Sequence, residues 1–333
     1  MKEYRIIDYS IEYQQKLKNF LKLHNPSFSD TYIDFLVDNA WNENHEDPAI
    51  LVVDEEDNIV GEHLFFYTKA KINGTEQRVK WSHDTYLEEE ARRYIGLDFV
   101  IEINSRKDCF GIGLSEINKK ITKKIKRAAF HPVYSILRFN LFFLLDLPKR
   151  ILSKRTSLDI SFPDKFKVDE VTFEKVTDID YFSIPDNGYW GDENTYDIEF
   201  IRDKEFLRNR FFQNPVFTYT VYQMMTDKSQ SYFVVRPIVY KGFKALSVVD
   251  YRHDVSKPES LNTLINAFSQ LAVKTRCGIL SVITTEHTAQ EKMKKSRWVR
   301  IRKGDMTFAK RYVNKENYSV MATIADPDGE YHL

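Results

Sequence analysis

One order of predicted elements occurs twice along the chain, and this repeat limits the possible folds more than any other feature. Residues 49–87 predict three strands in a meander, since apolar runs are separated by turns at 54–58 and at Asn73-Gly74. Asn-Gly between alternating runs is a strong hairpin signal. The elements predicted next are a helix at 88–106, a strand at 110–114, a helix at 116–129 and a strand at 133–146.

The second half of the chain repeats that order. Its predicted elements are strands at 216–224, 232–240 and 243–251, a helix at 258–273, a strand at 278–283, a helix from 285, and paired strands at 297–302 and 306–312. Before the first meander, a strand at 3–8, a helix at 10–23 and a helix capped by Ser29-Asp30 are expected. Repetition of element order, more than of residues, predicts a duplicated architecture of strands and helices.

The length of 333 residues suits two domains better than one. The segment 148–168 is basic, polar and interrupted by prolines, so it is predicted to link a domain at 1–147 to a domain at 169–333. An alternative interpretation of this segment is an electrostatic patch for a membrane surface.

Charge and cysteine content argue against several classes of function. Acidic and basic residues number 49 each, so the net charge gives no support to nucleic-acid binding. Cys109 and Cys277 stand far apart without metal-ligand spacing, which favours a reducing compartment and no metal site. The charged N-terminal segment lacks an apolar signal core, so a cytoplasmic location is expected.

Apolar runs are too short for a transmembrane helix, which needs roughly 18 residues. The best candidate, residues 139–147, is interpreted as a buried strand. The 24 Phe and 19 Tyr favour a β-rich interior, with an aromatic ligand groove as the alternative. No P-loop, G-x-S-x-G, HExxH or GxGxxG motif occurs.

Short motifs in the first half resemble the GNAT (GCN5-related) N-acyltransferase superfamily. Ile59-Val60-Gly61 opens the second meander strand as the family's V-G does, and the third strand leads through Tyr86 and Leu87 into a charged helix start. The stretch from Phe110 to Asn118 is similar to the strand and helix start that flank the pantetheine arm of coenzyme A. The resemblance implies an α/β (α+β) fold of two tandem GNAT-like domains, each a mixed, mostly antiparallel sheet flanked by helices.

The resemblance also implies an acyl-coenzyme A site at the helix that follows Leu87. A helix N-terminus offers unpaired N–H groups and partial positive charge to a pyrophosphate, and arginine adds charge. The family's Q/R-x-x-G-x-G/A loop fits in two registers, one from Arg93 to Asp98 and a preferred one from Ala91 to Gly96. The implied cofactor-binding residues are Tyr86, Leu87, Arg92, Arg93, Tyr94, Ile95, Gly96 and Asn118, and the implied co-substrate is acetyl-CoA or another acyl-CoA.

GNAT-like transfer proceeds by direct attack of an amine or hydroxyl acceptor on the thioester, so a general base is needed. The candidates beside the third meander strand are His83, Asp84 and Glu62. In a strictly alternating strand His83 and Asp84 point to opposite faces, so at most one would face the cleft.

The second half contains no glycine loop after Asp250, and its polar turn at Arg252 and His253 is interpreted as an ordinary loop, with phosphate contact as the alternative. The stretch 205–215 resembles tandem GNAT-like proteins of surface-polysaccharide assembly, which implies a carbohydrate or other small-molecule acceptor. Two alternatives remain open: a GNAT-fold protein that binds without catalysis, and a Fem-like aminoacyl transferase.

Overall fold

A computed structural model describes residues 3–38, 48–106, 109–112, 120, 128–152, 158–185, 188, 190, 195–225, 230–313 and 317–327. Its strands are β1 (Arg5–Asp8), β2 (Ala49–Val53), β3 (Ile59–Ile72), β4 (Thr75–Leu87), β5 (Cys109–Ile112), β6 (Ala128–Phe139), β7 (Lys165–Val168), β8 (Val171–Val176), β9 (Ile198–Phe200), β10 (Thr220–Met225), β11 (Tyr232–Tyr240), β12 (Phe243–Arg252), β13 (Ile279–Thr284), β14 (Val299–Ala309) and β15 (Val320–Met321). Its helices are α1 (Gln14–His24), α2 (Asp30–Val37), α3 (Glu89–Ser105), α4 (Leu141–Leu152), α5 (Lys204–Leu207), α6 (Pro258–Lys274) and α7 (His287–Lys295).

The described residues form two compact units, and neither unit is continuous in sequence. The first unit draws on Met1–Lys69, Gln77–Phe130 and Asp305–Asn314. The second draws on Ala70–Glu76, His131–Gly304 and Lys315–Leu333. The predicted linker at 148–168 stays a prediction.

The first unit is a mostly antiparallel sheet with one parallel pair. β1 pairs with β2, and β2 with β3, in antiparallel fashion, while β4 follows β3 through a hairpin. β4 and β5 are parallel, and β5 is antiparallel to the last part of β14. The core holds Ile50, Val52, Val60, Phe65, Leu87, Ala91 and Phe99, so α3 packs its buried residues on strands of the meander.

The second unit has the order β7-β8-β10-β11-β12-β13-β6, in which only β12 and β13 are parallel. Helix α6 supplies Leu264, Phe268 and Leu271 to its core, where they join Phe233 and Val248 of the sheet. Each unit therefore contains antiparallel strands, a helix and a parallel strand in succession, and the predicted mixed α/β fold is confirmed.

Local chemistry explains most of the element boundaries. The side chain of Ser29 caps α2 by accepting a hydrogen bond from the Tyr32 N–H at 3.1 Å. Asn73-Gly74 and Lys241-Gly242 both adopt positive φ angles, which suits two-residue hairpins. Pro258 stands in the first turn of α6, where its missing N–H costs nothing.

Two predicted strands are wrong. Residues 139–147 are not a buried strand, and the strand predicted at 133–146 ends at Phe139, because Asn140 opens helix α4. The Asn140 Oδ1 accepts the Phe142 N–H at 2.9 Å, and short apolar runs fit either a strand or a helix when periodicity alone is considered.

The paired strands predicted at 297–302 and 306–312 are the single strand β14. Gly304 does not adopt the positive φ that a tight hairpin turn there would require. The helix predicted at 116–129 lies mostly outside the described residues, and Ala128 and Ala129 belong to β6.

No helix in the described part of the chain is long and apolar enough to cross a membrane.

Gly278 is a point of close approach between helix α4 and the sheet of the second unit. A Cβ at this position would lie 2.6 Å from the Phe143 N and 2.7 Å from the Phe143 Cα. We therefore expect Gly278→Ala to lower the free energy of unfolding by about 1–3 kcal/mol, because backbone atoms cannot move aside as a side chain can. Urea unfolding would measure this, with Gly304→Ala as the control, since the nearest atom there is 4.0 Å away. Equal midpoints for the two variants would contradict the expectation.

Candidate active site

In the first unit, the described pairing between the parallel strands β4 and β5 is short. Their pairing consists of Lys80 with Cys109 and Trp81 with Phe110. β4 then continues to Leu87, and Gly111 and Ile112 of β5 pair with β14 on the opposite edge of β5. Among the residues that the structure describes, none of β5 pairs with residues 82–87 of β4.

An aromatic cluster fixes the point where the strands part. The ring of Phe110 is fully buried, with its centroid 5.5 Å from that of Trp81 and 5.5 Å from that of Phe308. Tyr312 stacks on the same ring at 5.6 Å and an interplanar angle of 6°. The cluster holds β5 to both neighbours at its start and so keeps the divergence in one place.

Gly111 is the first residue of β5 beyond the last pair with β4. A Cβ at this position would lie 3.2 Å from the Thr307 Oγ1 and 3.6 Å from the Ser82 Cβ. Glycine therefore lets β5 pack closely against Thr307 of β14 and Ser82 of β4 at the last described residues of β5.

A buried histidine that the sequence analysis missed lies beside this part of β4. His63 Nε2 is 2.9 Å from the Ser82 Oγ, and its Nδ1 is 2.5 Å from the Thr85 Oγ1. Burial lowers the pKa of His63 to about 3, with a further effect from His83, so the imidazole is neutral. Nothing in the local sequence distinguishes His63 from a core residue, because its partners lie about twenty positions away.

The hydrogen bonds of His63 also show that β4 departs from strict alternation. Ser82 and Thr85 are three positions apart, so regular pleating would place them on opposite faces. Both nevertheless reach one imidazole. The prediction that His83 and Asp84 face opposite sides rested on regular alternation in this stretch, so it loses that basis and stays untested.

Glu62 is buried, and neither carboxyl oxygen has a hydrogen-bond partner among the described residues. Burial raises the pKa of Glu62 well above its ordinary value, and the negative charge of Asp84 raises it further. The nearby backbone N–H of Tyr86 offsets this only in part. The side chain therefore holds its proton at pH values where an exposed glutamate is ionised.

The other two candidate bases lie close by in β4. His83 is half-buried, with its Nε2 3.1 Å from the Tyr32 hydroxyl and its ring 4.8 Å from the ring of Phe66. Asp84 is also half-buried, and its Oδ1 accepts the Thr85 N–H at 2.8 Å. The structure thus gathers Glu62, His83 and Asp84 on two adjacent strands.

The predicted pyrophosphate loop is part of helix α3. This helix begins at Glu89, as expected after Leu87, and its first turn carries Glu89 and Glu90 next to Glu88. Tyr86 ends in contact with α1, where its ring stacks 4.4 Å from that of His24. Carboxylates therefore occupy the electropositive end of this helix, where an anionic ligand would compete with them.

The remaining predicted cofactor residues lie along α3 past its first residues. Arg92 donates to the Leu87 carbonyl at 2.8 Å, and Arg93 donates to the Glu89 Oε1 at 2.6 Å. Tyr94 is exposed and its ring lies 5.9 Å from that of Tyr4, while Ile95 packs on the core. Gly96 follows in the body of the helix, and Asn118 lies outside the described residues.

The second unit contains a corresponding divergence, and the chain itself fills it. The parallel pairing of β12 with β13 ends at Val248 and Val282, although both strands continue. The Ala325 N–H donates to the Val249 carbonyl at 3.2 Å, and Thr323 bridges to Thr284. Residues 320–326 therefore run between the two strands.

Buried charges hold that segment. Arg202 donates to Asp250 at 2.9 and 3.2 Å, and its Nη2 lies 2.7 Å from the Asp326 Oδ1. Thr323 donates to Asp250 at 2.7 Å. Although burial opposes ionisation, Arg202 and Arg252 lower the pKa of Asp250 to about 2, so the network is charged.

The polar side chains at the end of β12 and in the loop after it already have partners within the chain. His253 Nε2 is 2.9 Å from the Glu286 Oε1, and Tyr251 donates to the same carboxylate at 3.0 Å. Arg252 donates to Asp250 at 3.0 Å. The interpretation of Arg252 and His253 as phosphate ligands gains no support from these partners.

Comparisons with known proteins identify the fold. No family model and no curated protein matches this sequence. A GCN5-related N-acetyltransferase from Anabaena variabilis is similar in structure, with a TM-score of 0.52 and 11% identity over 92% of this chain and 72% of that chain. The N-myristoyltransferase of Saccharomyces cerevisiae, solved with bound myristoyl-CoA, gives a TM-score of 0.54 and 10% identity over 92% and 80%. The chain therefore has the fold of the GNAT acyltransferases, as predicted.

The raised pKa of Glu62 predicts how stability depends on pH. Above the ordinary value of 4.5, the unfolded chain ionises this residue while the folded chain keeps its proton, so the free energy of unfolding falls as pH rises. Between pH 4.5 and the raised pKa of Glu62, this decrease in the free energy of unfolding amounts to about 1.4 kcal/mol per pH unit. Glu62→Gln removes the decrease, because glutamine does not ionise. The variant should match the wild type in acid and exceed it at neutral pH.

Thermal unfolding from acid to neutral pH would test this, with exposed Glu170→Gln as the control. A constant difference between Glu62→Gln and the wild type across the pH range would show that the carboxyl group does not titrate abnormally.

Proposed function

We propose that the protein is an acyl-CoA-dependent acyltransferase that binds its acyl-CoA in the first unit, where β4 and β5 diverge. The observation that carries the proposal is that the described pairing of β4 with β5 ends at Trp81 and Phe110, whereas β4 continues to Leu87. The fold shared with acetyl- and myristoyltransferases supports it, since one of these was solved with bound myristoyl-CoA. The matching divergence in the second unit is filled by residues 320–326.

The reaction is transfer of an acyl group from a thioester to an amine or hydroxyl: a C–N or C–O bond forms, the C–S bond breaks, and coenzyme A leaves as a thiolate that takes up a proton from water. The backbone N–H groups of residues 82–87 would polarise the thioester carbonyl as negative charge develops on its oxygen. We assign the general base to Asp84, because it lies next to a carboxyl group whose pKa is raised by burial and by Asp84 itself. Glu62 then keeps its proton and His63 stays neutral, so the acceptor's proton passes to Asp84.

Cofactor contacts follow from the same placement. Tyr86 and Leu87 end the diverging strand, and Arg92 and Arg93 lie in the first turns of α3. We propose that these guanidinium groups meet the diphosphate of the cofactor after exchanging their present partners. The proposed site also keeps three further residues of this helix, Tyr94, Ile95 and Gly96, and one residue after it in sequence, Asn118.

A second function, binding of a partner without catalysis, is favoured by one observation. Glu88, Glu89 and Glu90 place three carboxylates at the start of α3, where a diphosphate would have to bind. If these carboxylates repel the diphosphate, acyl-CoA does not bind and the protein acts as a binding module.

The acceptor is proposed by chemical class only. An amine or hydroxyl of a small molecule suits the reaction, and a sugar of a surface polysaccharide is the specific candidate that the 205–215 resemblance suggests. A cytoplasmic location, where acyl-CoA is available, belongs to the same proposal.

The binding site can be tested by filling it. We expect wild-type protein to bind acetyl-CoA in calorimetry and Gly111→Val to weaken binding by about tenfold or more, because its side chain would press on Thr307 and Ser82 and shift the start of the diverging part of β4. Gly304→Val is the control for adding bulk to a glycine in a strand. Absence of heat with acetyl-CoA and with myristoyl-CoA would favour the non-catalytic alternative, and equal binding by both variants would place the ligand elsewhere.

The general base can be tested by a nearly isosteric change. We expect Asp84→Asn to lower kcat/KM by roughly 10²–10⁴-fold, because the amide cannot accept the acceptor's proton. Release of the coenzyme thiol with a panel of amines and amino sugars would measure this, with exposed Asp98→Asn on α3 as the control. A rate unchanged in Asp84→Asn would exclude this assignment and leave His83 or Glu62.

A further inference from the structure

Helix α4 in the second unit turns an apolar stripe toward solvent. Leu141, Leu144 and Leu145 are 66%, 59% and 53% exposed, and Pro148 continues the stripe one turn later. Positions i, i+3, i+4 and i+7 share one face of a helix. An amphipathic helix on a water-soluble core normally presents the opposite face to water, so contiguous exposed leucines indicate a binding surface.

The helix is anchored by its other face, so the stripe cannot simply roll inward. Asn140 donates from its Nδ2 to the Cys277 carbonyl at 2.7 Å and caps the helix through the Phe142 N–H. The ring of Phe143 lies 4.7 Å from that of Phe243. Gly278 gives the backbone of Phe143 the room to approach.

Exposed basic residues lie close in sequence to the residues that anchor the helix. Lys241 is exposed in the hairpin turn two residues before Phe243, and Lys274 and Arg276 are exposed just before Cys277. In sequence, Lys149 and Arg150 belong to the last turns of the same helix. The acidic residue of the helix, Asp146, is half-buried and lies near enough to Cys277 to raise the pKa of its thiol, after the larger effect of burial.

Exposed leucines together with basic residues favour an anionic membrane surface as the partner. An anionic membrane surface offers acyl chains to the leucines and phosphate groups to the lysines and arginines, and basic residues with leucines on a short helix are typical of interfacial binding. The helix of 12 residues is too short to span a bilayer but long enough to lie along its surface.

We propose that α4 is an interfacial membrane-binding helix that docks the second unit on anionic phospholipid. Its leucine stripe enters the boundary between headgroups and acyl chains, and the surrounding lysine and arginine side chains contact lipid phosphates. This docking does not depend on the acyltransferase activity.

Vesicle co-sedimentation tests the proposal with the full-length chain. We expect binding to vesicles containing about one third phosphatidylglycerol in phosphatidylcholine, weak binding to phosphatidylcholine alone, and loss of binding at high salt. Leu144→Ser combined with Leu145→Ser should weaken binding by about tenfold or more. Leu23→Ser combined with Leu97→Ser is the matched control, since both leucines are exposed on other helices.

Charge provides the second arm of the test. Lys241→Glu combined with Lys274→Glu should weaken binding at low salt, since both side chains are exposed, whereas Lys294→Glu combined with Lys295→Glu on α7 should have a smaller effect. Circular dichroism checks that each variant is folded. Unchanged binding in the leucine variant, or no binding by the wild type, would overturn the proposal. Self-association that the leucine variant abolishes, without vesicle binding, would assign the stripe to a second copy of the chain and also overturn it.

Discussion

The packing of Phe110 against Trp81, Phe308 and Tyr312 is the constraint on which the proposed site depends. Parallel strands that stayed paired along their length would leave no room for a cofactor between them. The aromatic cluster pins the start of β5 between two strands, and the described residues after Phe110 pair with β14. Burial of large rings thus stabilises the unit and positions the edge of β4 to which the proposed site is assigned.

In each unit the described parallel pairing ends before the strands do, but the residues found at that place differ. In the first unit, polar residues lie on β3 and on the end of β4, and they include the buried carboxyl group of Glu62, which has no hydrogen-bond partner among the residues that the structure describes. In the second unit, residues 320–326 take the corresponding place and are held by a buried, charged network around Arg202 and Asp250. Breaking such a network by removing one partner leaves an uncompensated buried charge, so the filled state is firmly maintained.

Sequence patterns correctly predicted the turns and the helix cap that depend on local interactions. The Asn73-Gly74 hairpin, the Ser29 cap and the short turn between the strands predicted at 232–240 and 243–251 each depend on residues close in sequence, and all three were found. Residues 139–147 were misassigned because an apolar run fits a strand or a helix until the cap at Asn140 is known. His63 and the segment 320–326 were missed because their partners are distant in the chain. The loop predicted from Ala91 to Gly96 falls inside a helix that starts earlier, at Glu89.

The discontinuity of the first unit has a consequence for how the protein is made. Thr307 donates to the Gly111 carbonyl across 196 positions, so β5 gains this neighbour only after nearly the whole second unit has been synthesised. Until then the edge of β5 is available to other chains on or near the ribosome. Such a long separation also lengthens the search for the native pairing. A nascent chain of this type therefore has reason to need a chaperone even though each unit is of ordinary size.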